Sequence, residues 1–106
     1  MFRFTVLYGH PKDSAEFDRY YHEIHIPLVE KIKGFSGLTV TKFAPSPQGE
    51  QPPYYLMAGL YAKTPEEFGA LMATPEGQAA TADIANFATG GVTVLFGEET
   101  VTIPFS

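Results

Sequence analysis

Two of the three histidines and two of the six tyrosines lie within one short segment, Tyr20 to His25. Histidine is the side chain whose ordinary pKa, about 6.5, lets it accept or donate a proton near neutrality. Tyrosine adds a hydroxyl that can donate or accept a hydrogen bond. This segment therefore concentrates the groups that could carry acid–base chemistry.

A helix is expected to position these groups. Asp13 and Glu16 have the spacing of a capping box, and we expect an amphipathic helix over residues 14–32. Pro27 has no N–H to donate, so a kink or restart is expected near His25. The apolar and aromatic residues that recur at helical spacing are Phe17, Tyr20, Tyr21, Ile24, Leu28 and Ile32.

On a helical wheel the apolar stripe is centred near Ile24 and Leu28, with His25 at its edge beside Tyr21. Two interpretations of His25 stay open. It is a general acid or base at a pocket, or a partly buried histidine bonded to a carbonyl freed by Pro27.

His22 lies further round the wheel, one turn beyond Asp18. We expect it on a solvated face with a weak ion pair to Asp18, four residues earlier. Lys42 and Arg3 are expected to be surface charges.

Tyr21, Tyr8 and Tyr61 are the candidates for contacting a substrate, since an inward tyrosine hydroxyl beside His25 would be a second proton-transfer group. His22 and His25 could share a metal, but a stable site needs three or four converging ligands. We therefore expect no metal and no cofactor, although a haem held by one axial histidine stays open in principle.

The remaining strands are predicted from alternating apolar and polar residues, and prolines and glycines mark where strands and helices begin and end. Their order, strand, helix, strand, strand, helix, strand, predicts an α+β fold of the ferredoxin-like βαββαβ type with a four-stranded antiparallel sheet. The expected strands are 2–8, 38–44, 54–62 and 92–96, the helical segments of the second half are 65–72 and 75–88, a proline-rich loop fills 45–53, and residues 98–105 extend or follow the last strand.

Bulk composition favours one ordinary globular domain over residues 1–106. The chain has no cysteine, which excludes disulfides and thiolate chemistry. A net charge of -5 disfavours nucleic acid and anionic membranes as partners. The start of the chain does not resemble a signal peptide and no apolar run could span a bilayer, so we expect a cytoplasmic protein.

Helices on one face of the sheet would leave the other face uncovered. In the first strand Phe4 and Val6 point one way and Leu7 the other, and in the third strand Met57 and Tyr61 oppose Leu60, so both faces carry apolar side chains. An exposed apolar sheet is a liability in a monomer. We expect a homodimer that packs sheet to sheet.

The helix motif also resembles a known family. Tyr21, His25, Pro27 and Leu28 match the Y-x-x-x-H-x-P-L pattern of EthD proteins, and later features follow in family order over nearly the whole chain. The resemblance implies a ferredoxin-like monomer, a dimeric α+β barrel formed through the sheets, and a pocket between sheet and helices.

The EthD family is named for association with ether-degradation gene clusters, and similar small barrels act as lactone isomerases, polyketide cyclases or dehydratases, and cofactor-free monooxygenases. By this resemblance we expect a cofactor-independent enzyme that transfers protons on a small apolar or aromatic metabolite, with His25 as acid or base. A cofactor-free monooxygenase and a non-catalytic small-molecule-binding accessory protein are the alternatives.

Overall fold

The structure is a computed structural model that describes residues 1–105, and it confirms the α+β fold with one four-stranded antiparallel sheet in the order β2-β3-β1-β4. The elements are β1 Phe2–Tyr8, α1 Ser14–Tyr20, a π-helical turn Tyr21–His25, α2 Ile26–Glu30, β2 Gly37–Lys42, β3 Leu56–Ala62, α3 Pro65–Met72, α4 Pro75–Asp83, a 3₁₀ turn Ile84–Asn86 and β4 Val92–Glu98.

The strand register separates two faces of the sheet. Phe4 lies opposite Leu60 on one side and Phe96 on the other, so these three side chains share one face. This is the face that the helices cover. Leu7 and its neighbour Met57 belong to the opposite face, which no helix in residues 1–105 covers.

Aromatic rings fill the space between the helices and the tyrosine end of β1. Tyr8, Phe17, Tyr21 and Phe87 are each at most 5% exposed, and their ring centroids lie 5.4 to 5.7 Å apart. Such rings supply much of a small core's apolar burial. The helix that carries the histidines is therefore fixed firmly to the sheet.

The first helical region is not one regular α-helix. It begins at Asp13, whose carboxylate accepts the N–H of Glu16 as predicted. Ahead of Pro27 the helix widens into a π turn, in which the N–H of Ile26 bonds to the carbonyl of Tyr21. A π turn fits one extra residue into a turn, and such insertions often occur at functional sites.

This extra residue rotates the buried face. The expected centring of the apolar stripe on Ile24 and Leu28 is wrong, because Ile24 is 38% exposed and Leu28 is only half-buried. Tyr21 and His25 take the inward positions instead, with 2% and 4% exposure. The wheel misplaced His25 at the edge because it assumed 3.6 residues per turn throughout.

Threonine caps start the two later helices. Thr64 accepts the N–H of Glu67 and Thr74 that of Gly77, each followed by a proline in the first turn. These caps satisfy backbone donors that have no partner inside the helix. The second capped helix, α4, ends at Asp83.

The helix-free face contains a half-buried arginine. The Arg3 guanidinium carbon lies 5.6 Å from the centre of the Tyr61 ring, and Nε is buried without a hydrogen-bond partner within residues 1–105. The expectation that Arg3 is a simple surface charge is therefore wrong. Gly59 on the next strand lets the side chain lie flat against the sheet, since a Cβ there would come 2.8 Å from Nε.

In residues 1–105 no helix has the length and apolar character needed to cross a membrane.

Candidate functional site

A cavity of about 320 Å³ lies between the helix-covered face of the sheet and the helices. This is within the size range of small-molecule sites. Almost all of its lining is apolar, with side chains such as Val6, Ile26, Val29, Leu38, Ala58 and Phe68. The few polar groups that reach it belong to His25, Tyr8, Tyr21 and Thr81.

His25 is held by a carboxylate from the second half of the chain. Its Nδ1 lies 3.0 Å from Oδ2 of Asp83, and the two residues are 4% and 7% exposed. The imidazole also stacks on Tyr21 at 5.4 Å and contacts the ring of Phe87 at 4.7 Å. The ring orientation is therefore set by one hydrogen bond and two aromatic neighbours.

Asp83 in turn accepts two further hydrogen bonds. The Tyr20 hydroxyl donates to Oδ1 at 2.6 Å, and the Asn86 amide donates to the same oxygen at 3.0 Å. Burial alone would raise the pKa of Asp83, but the bonds from Tyr20, Asn86 and His25 outweigh it and lower the pKa. Asp83 is thus ionised at neutral pH and accepts the Nδ1 proton of His25.

This arrangement selects the tautomer of His25. With its proton on Nδ1, a neutral imidazole carries a lone pair on Nε2. Burial lowers the pKa of His25 more than the neighbouring Asp83 raises it, so the ring is neutral at pH 7. A neutral, oriented imidazole at the wall of a cavity is suited to accept a proton.

Two phenols share the cavity with the imidazole. Burial raises the pKa of Tyr21 to about 12, and burial together with the adjacent Tyr21 raises the pKa of Tyr8 further. Both hydroxyls stay protonated near neutrality and can donate hydrogen bonds. The two phenols also interact with each other, so the cavity contains one base and an adjacent pair of neutral phenols in largely apolar surroundings.

Three of the four predicted site residues are brought together, since His25, Tyr21 and Tyr8 all line the cavity. Tyr61 is not, because the strand register places it on the helix-free face, across from Arg3. Successive residues of a strand point to opposite faces of the sheet, so Tyr61 and its neighbour Leu60 point in opposite directions.

The structure differs from one of the two open interpretations of His25 and from the partner expected for Asp18. The carbonyl freed by Pro27 is not the partner of His25, which bonds to Asp83 instead. Asp18 makes its direct ion pair with Lys42 rather than His22: its carboxylate accepts Lys42 Nζ at 2.9 Å and the Tyr55 hydroxyl at 2.7 Å. His22 contributes only a weak attraction, the smallest of the causes that lower the pKa of Asp18. A lysine at the end of β2 and a phenol just before β3 reach this carboxylate, and helical spacing alone cannot reveal them.

Asp83 is the residue of the candidate site that sequence reasoning missed. Helix α4 has a weak apolar pattern, because its buried face is made of Gly77 and Ala80. Asp83 follows Ala80 by three residues and precedes Phe87 by four, so it lies on the same inward face. A single acidic residue on that face is the signal that would have identified it.

Within residues 1–105, no three His, Cys, Asp or Glu side chains converge as metal ligands would. Apart from His25, Tyr8, Tyr21 and Thr81, the side chains that line the cavity are apolar.

The fold and the cavity define a small α+β domain of the ferredoxin-like class with an apolar cavity between sheet and helices. Its family follows from sequence comparison. The EthD domain model matches residues 10–91, and the chain belongs to the EthD family.

Similar proteins cover almost the whole chain. An uncharacterized 11.0 kDa protein of the thcB-thcC intergenic region in Rhodococcus erythropolis is 44% identical over 104 residues, 98% of this chain and 100% of that protein. The crystal structure of an EthD family protein from Bacillus halodurans is 37% identical with a TM-score of 0.87, covering 94% of this chain and 99% of the other.

More distant structures share the fold alone. A cofactor-independent oxygenase from Streptomyces nogalater is 12% identical (TM-score 0.67, 98% and 96% covered). A hydroxynitrile lyase from Passiflora edulis is 9% identical (0.73, 97% of both). A dimeric ferredoxin-like protein of unknown function from Bacteroides fragilis is 14% identical (0.64, 92% and 95%).

Proposed function

We propose that the chain is a cofactor-independent enzyme that transfers protons on a small apolar or aromatic substrate, with His25 as the general base. The observation that carries this proposal is the pair of His25 and ionised Asp83, which leaves a neutral imidazole at the wall of an apolar cavity. Apolar surroundings strengthen the interactions of the few polar groups present.

In the proposed reaction, Nε2 of His25 takes a proton from a carbon next to a carbonyl of the substrate. The C–H electron pair becomes a C=C bond and the carbonyl electrons move to oxygen, where a hydroxyl of Tyr8 or Tyr21 donates a hydrogen bond. Asp83 stabilises the imidazolium. Return of the proton from His25 to another atom gives isomerisation. If the substrate instead carries a hydroxyl on the carbon next to the enolate, that C–O bond breaks as the hydroxyl takes the proton from His25 and leaves as water, which gives dehydration.

The cavity also limits the substrate. A charged group placed among its apolar side chains would lose hydration without gaining a partner. The polar groups gather near His25, so a suitable substrate is uncharged, with an oxygen at one end and a hydrocarbon body.

Deuterium exchange tests this proposal without knowledge of the natural substrate. The probe is 2-tetralone in D₂O, a small aromatic ketone with an acidic C–H, followed by proton NMR. The wild-type protein should speed exchange, and His25→Ala should abolish the acceleration. His22→Ala is the matched control, since His22 is exposed three residues away on the same turn and should keep full activity.

Native mass spectrometry of the purified protein gives the second arm, by identifying any small molecule it retains. Turnover of that molecule that is unchanged in His25→Ala would remove His25 from the mechanism. Equal binding by both proteins with no turnover by either would favour the non-catalytic binding protein.

Oxidation is the second candidate function, and the fold shared with a cofactor-independent oxygenase favours it. The same base would deprotonate an electron-rich aromatic to an anion, which then reacts with O₂. An oxygen electrode with anthrone as the probe distinguishes the two, because proton transfer alone consumes no O₂.

A homodimer through the helix-free face is part of the proposal. That face presents Leu7, Met57, Tyr61 and the 53% exposed Leu95, and one protein of the same fold is dimeric. A second copy would cover these side chains and could offer an acceptor to Arg3 Nε. Light scattering that gives a monomer of 11.6 kDa at micromolar concentration would contradict this.

A further inference from the structure

The chain leaves β4 as an apolar arm, residues 99–105. The arm's described residues have no helix or strand, and the last backbone bond to the body joins the Glu99 N–H to the carbonyl of Met1. Val101, Ile103 and Phe105 alternate with polar residues or proline, which is the pattern of an extended segment with one apolar side. They are 72%, 65% and 93% exposed.

The arm projects from the body of the molecule. The radius of gyration is 14.7 Å, against about 13 Å for a packed chain of this length. Seven extended residues reach about 23 Å. The family model ends at residue 91, so the arm is outside the part of the chain that it matches.

The cavity has a matching gap. Val94 and Phe96 line it from β4 and lie on the helix-covered face, yet they are 44% and 64% exposed. The helices therefore do not extend over β4. Its outer edge is also free of any strand within residues 1–105, which leaves backbone groups without partners.

We propose that the arm of one copy lies along β4 of a second copy, and that its apolar side chains close the cavity beside Phe96. This rests on the proposed function only in taking the cavity as the ligand site. The arm leads away from its own cavity, because the bond from the Glu99 N–H to the Met1 carbonyl continues the β1–β4 pairing in the direction of β4, beyond Val94 and Phe96. A two-fold exchange covers both arms and both gaps at once.

The exchange makes each site incomplete without a second copy. Val101, Ile103 and Phe105 would become part of the wall opposite His25. These three exposed apolar side chains favour association of two copies, since burying them removes apolar area from water.

Cross-linking tests the exchange directly, because the chain contains no cysteine to interfere. In the double variant Val94→Cys/Ile103→Cys, a short bismaleimide should join two chains and double the mass under denaturing conditions. Val94→Cys/Thr102→Cys is the matched control, with the second cysteine on the opposite side of the arm, and should react far less. A linked product of single mass, no linked product, or equal reaction of the control would each overturn the proposal.

Ligand binding gives the second measurement, with the uncharged fluorescent probe N-phenyl-1-naphthylamine. The variant Val101→Ser/Ile103→Ser/Phe105→Ser should bind it about tenfold more weakly than the wild type. Thr100→Ser/Thr102→Ser should bind like the wild type. Equal affinity in all three proteins, or no binding by the wild type, would contradict closure of the cavity by the arm.

Neither measurement requires turnover. An inter-chain cross-link with no deuterium exchange would refute the proton-transfer function and leave the arm exchange standing. Deuterium exchange that depends on His25, together with cross-linked products of single mass only, would refute the arm exchange and leave the proton-transfer function standing.

Discussion

The two ends of the cavity are built differently. At one end His25 and Asp83 are under 8% exposed, and the imidazole contacts the rings of Tyr21 and Phe87 from two separate parts of the chain. At the other end Phe96 is 64% exposed, although its ring lies 5.3 to 6.4 Å from those of Phe2, Phe4 and Phe68. The polar end is therefore complete within one chain, whereas the apolar end is open to solvent and is the part that our proposal assigns to a second copy.

The largest effect should come from removing the ring that closes the polar end. Phe87 is 5% exposed and contacts Tyr8, Tyr21 and His25, so Phe87→Ala should cost about 3–5 kcal/mol in the free energy of unfolding. Urea unfolding measures this.

Phe96→Ala removes the same atoms from the open end and is the matched control. At protein concentrations where the chain is monomeric it should cost no more than about 1 kcal/mol, because its ring is already mostly in water. Similar losses in the two variants would mean that the two ends are equally packed.

The second prediction concerns the carboxylate. Asp83→Asn replaces an ionised acceptor of three hydrogen bonds by a neutral amide, at a cost of about 1–3 kcal/mol. The pKa of His25 should fall further, since Asp83 is the group that raises it. NMR titration of the imidazole protons reports the change.

Asp18→Asn is the control for this titration, because Asp18 bonds to Lys42 and Tyr55 away from the cavity. It should leave the His25 titration where it was. An unchanged titration in Asp83→Asn would show that the pair does not form in solution.

The same contrast marks the limit of sequence reasoning. Periodicity, prolines and caps were sufficient for the strand and helix order and for placing Phe4 and Val6 on the opposite face of β1 from Leu7, because these depend on residues close in the chain. Even the disturbance at Pro27 was expected. Its form was not, because the choice of a π turn depends on how Tyr21 and His25 pack against Phe87.

Partners distant in sequence were out of reach for the same reason. His25 and Asp83 are 58 residues apart, and Lys42 lies 24 residues from Asp18. Tyr61 shows the complementary error: its residue type suggested a site, but one position of strand register placed it on the other face.

The third prediction is a loss of stability in mild acid that originates at the polar end. The folded pKa of His25 is lowered, so below the ordinary value of 6.5 the unfolded chain binds a proton that the folded chain resists. The free energy of unfolding should fall as the pH drops from 6.5 towards the folded pKa, by at most about 1.4 kcal/mol per pH unit.

Urea unfolding between pH 5 and 7.5 measures this slope. It should vanish in His25→Asn and persist in His22→Asn, whose side chain is exposed. Asp83 adds a second loss in stronger acid: its folded pKa is lowered, so its contribution disappears only as the pH falls below the ordinary value of 3.8. A flat profile from pH 7.5 to 5 would argue that His25 is not held neutral by burial.

The smallest effect separates the helices that serve the two ends. Thr74 caps α4, which ends at Asp83, and Thr64 caps α3, whose Phe68 lines the apolar end. Each Thr→Ala change should cost about 1 kcal/mol, since it leaves one backbone donor of the first turn without its side-chain acceptor. Stability alone cannot tell the variants apart, but the titration of His25 can. Loosening α4 shifts the carboxylate that orients the imidazole, so Thr74→Ala should move that titration and Thr64→Ala should not.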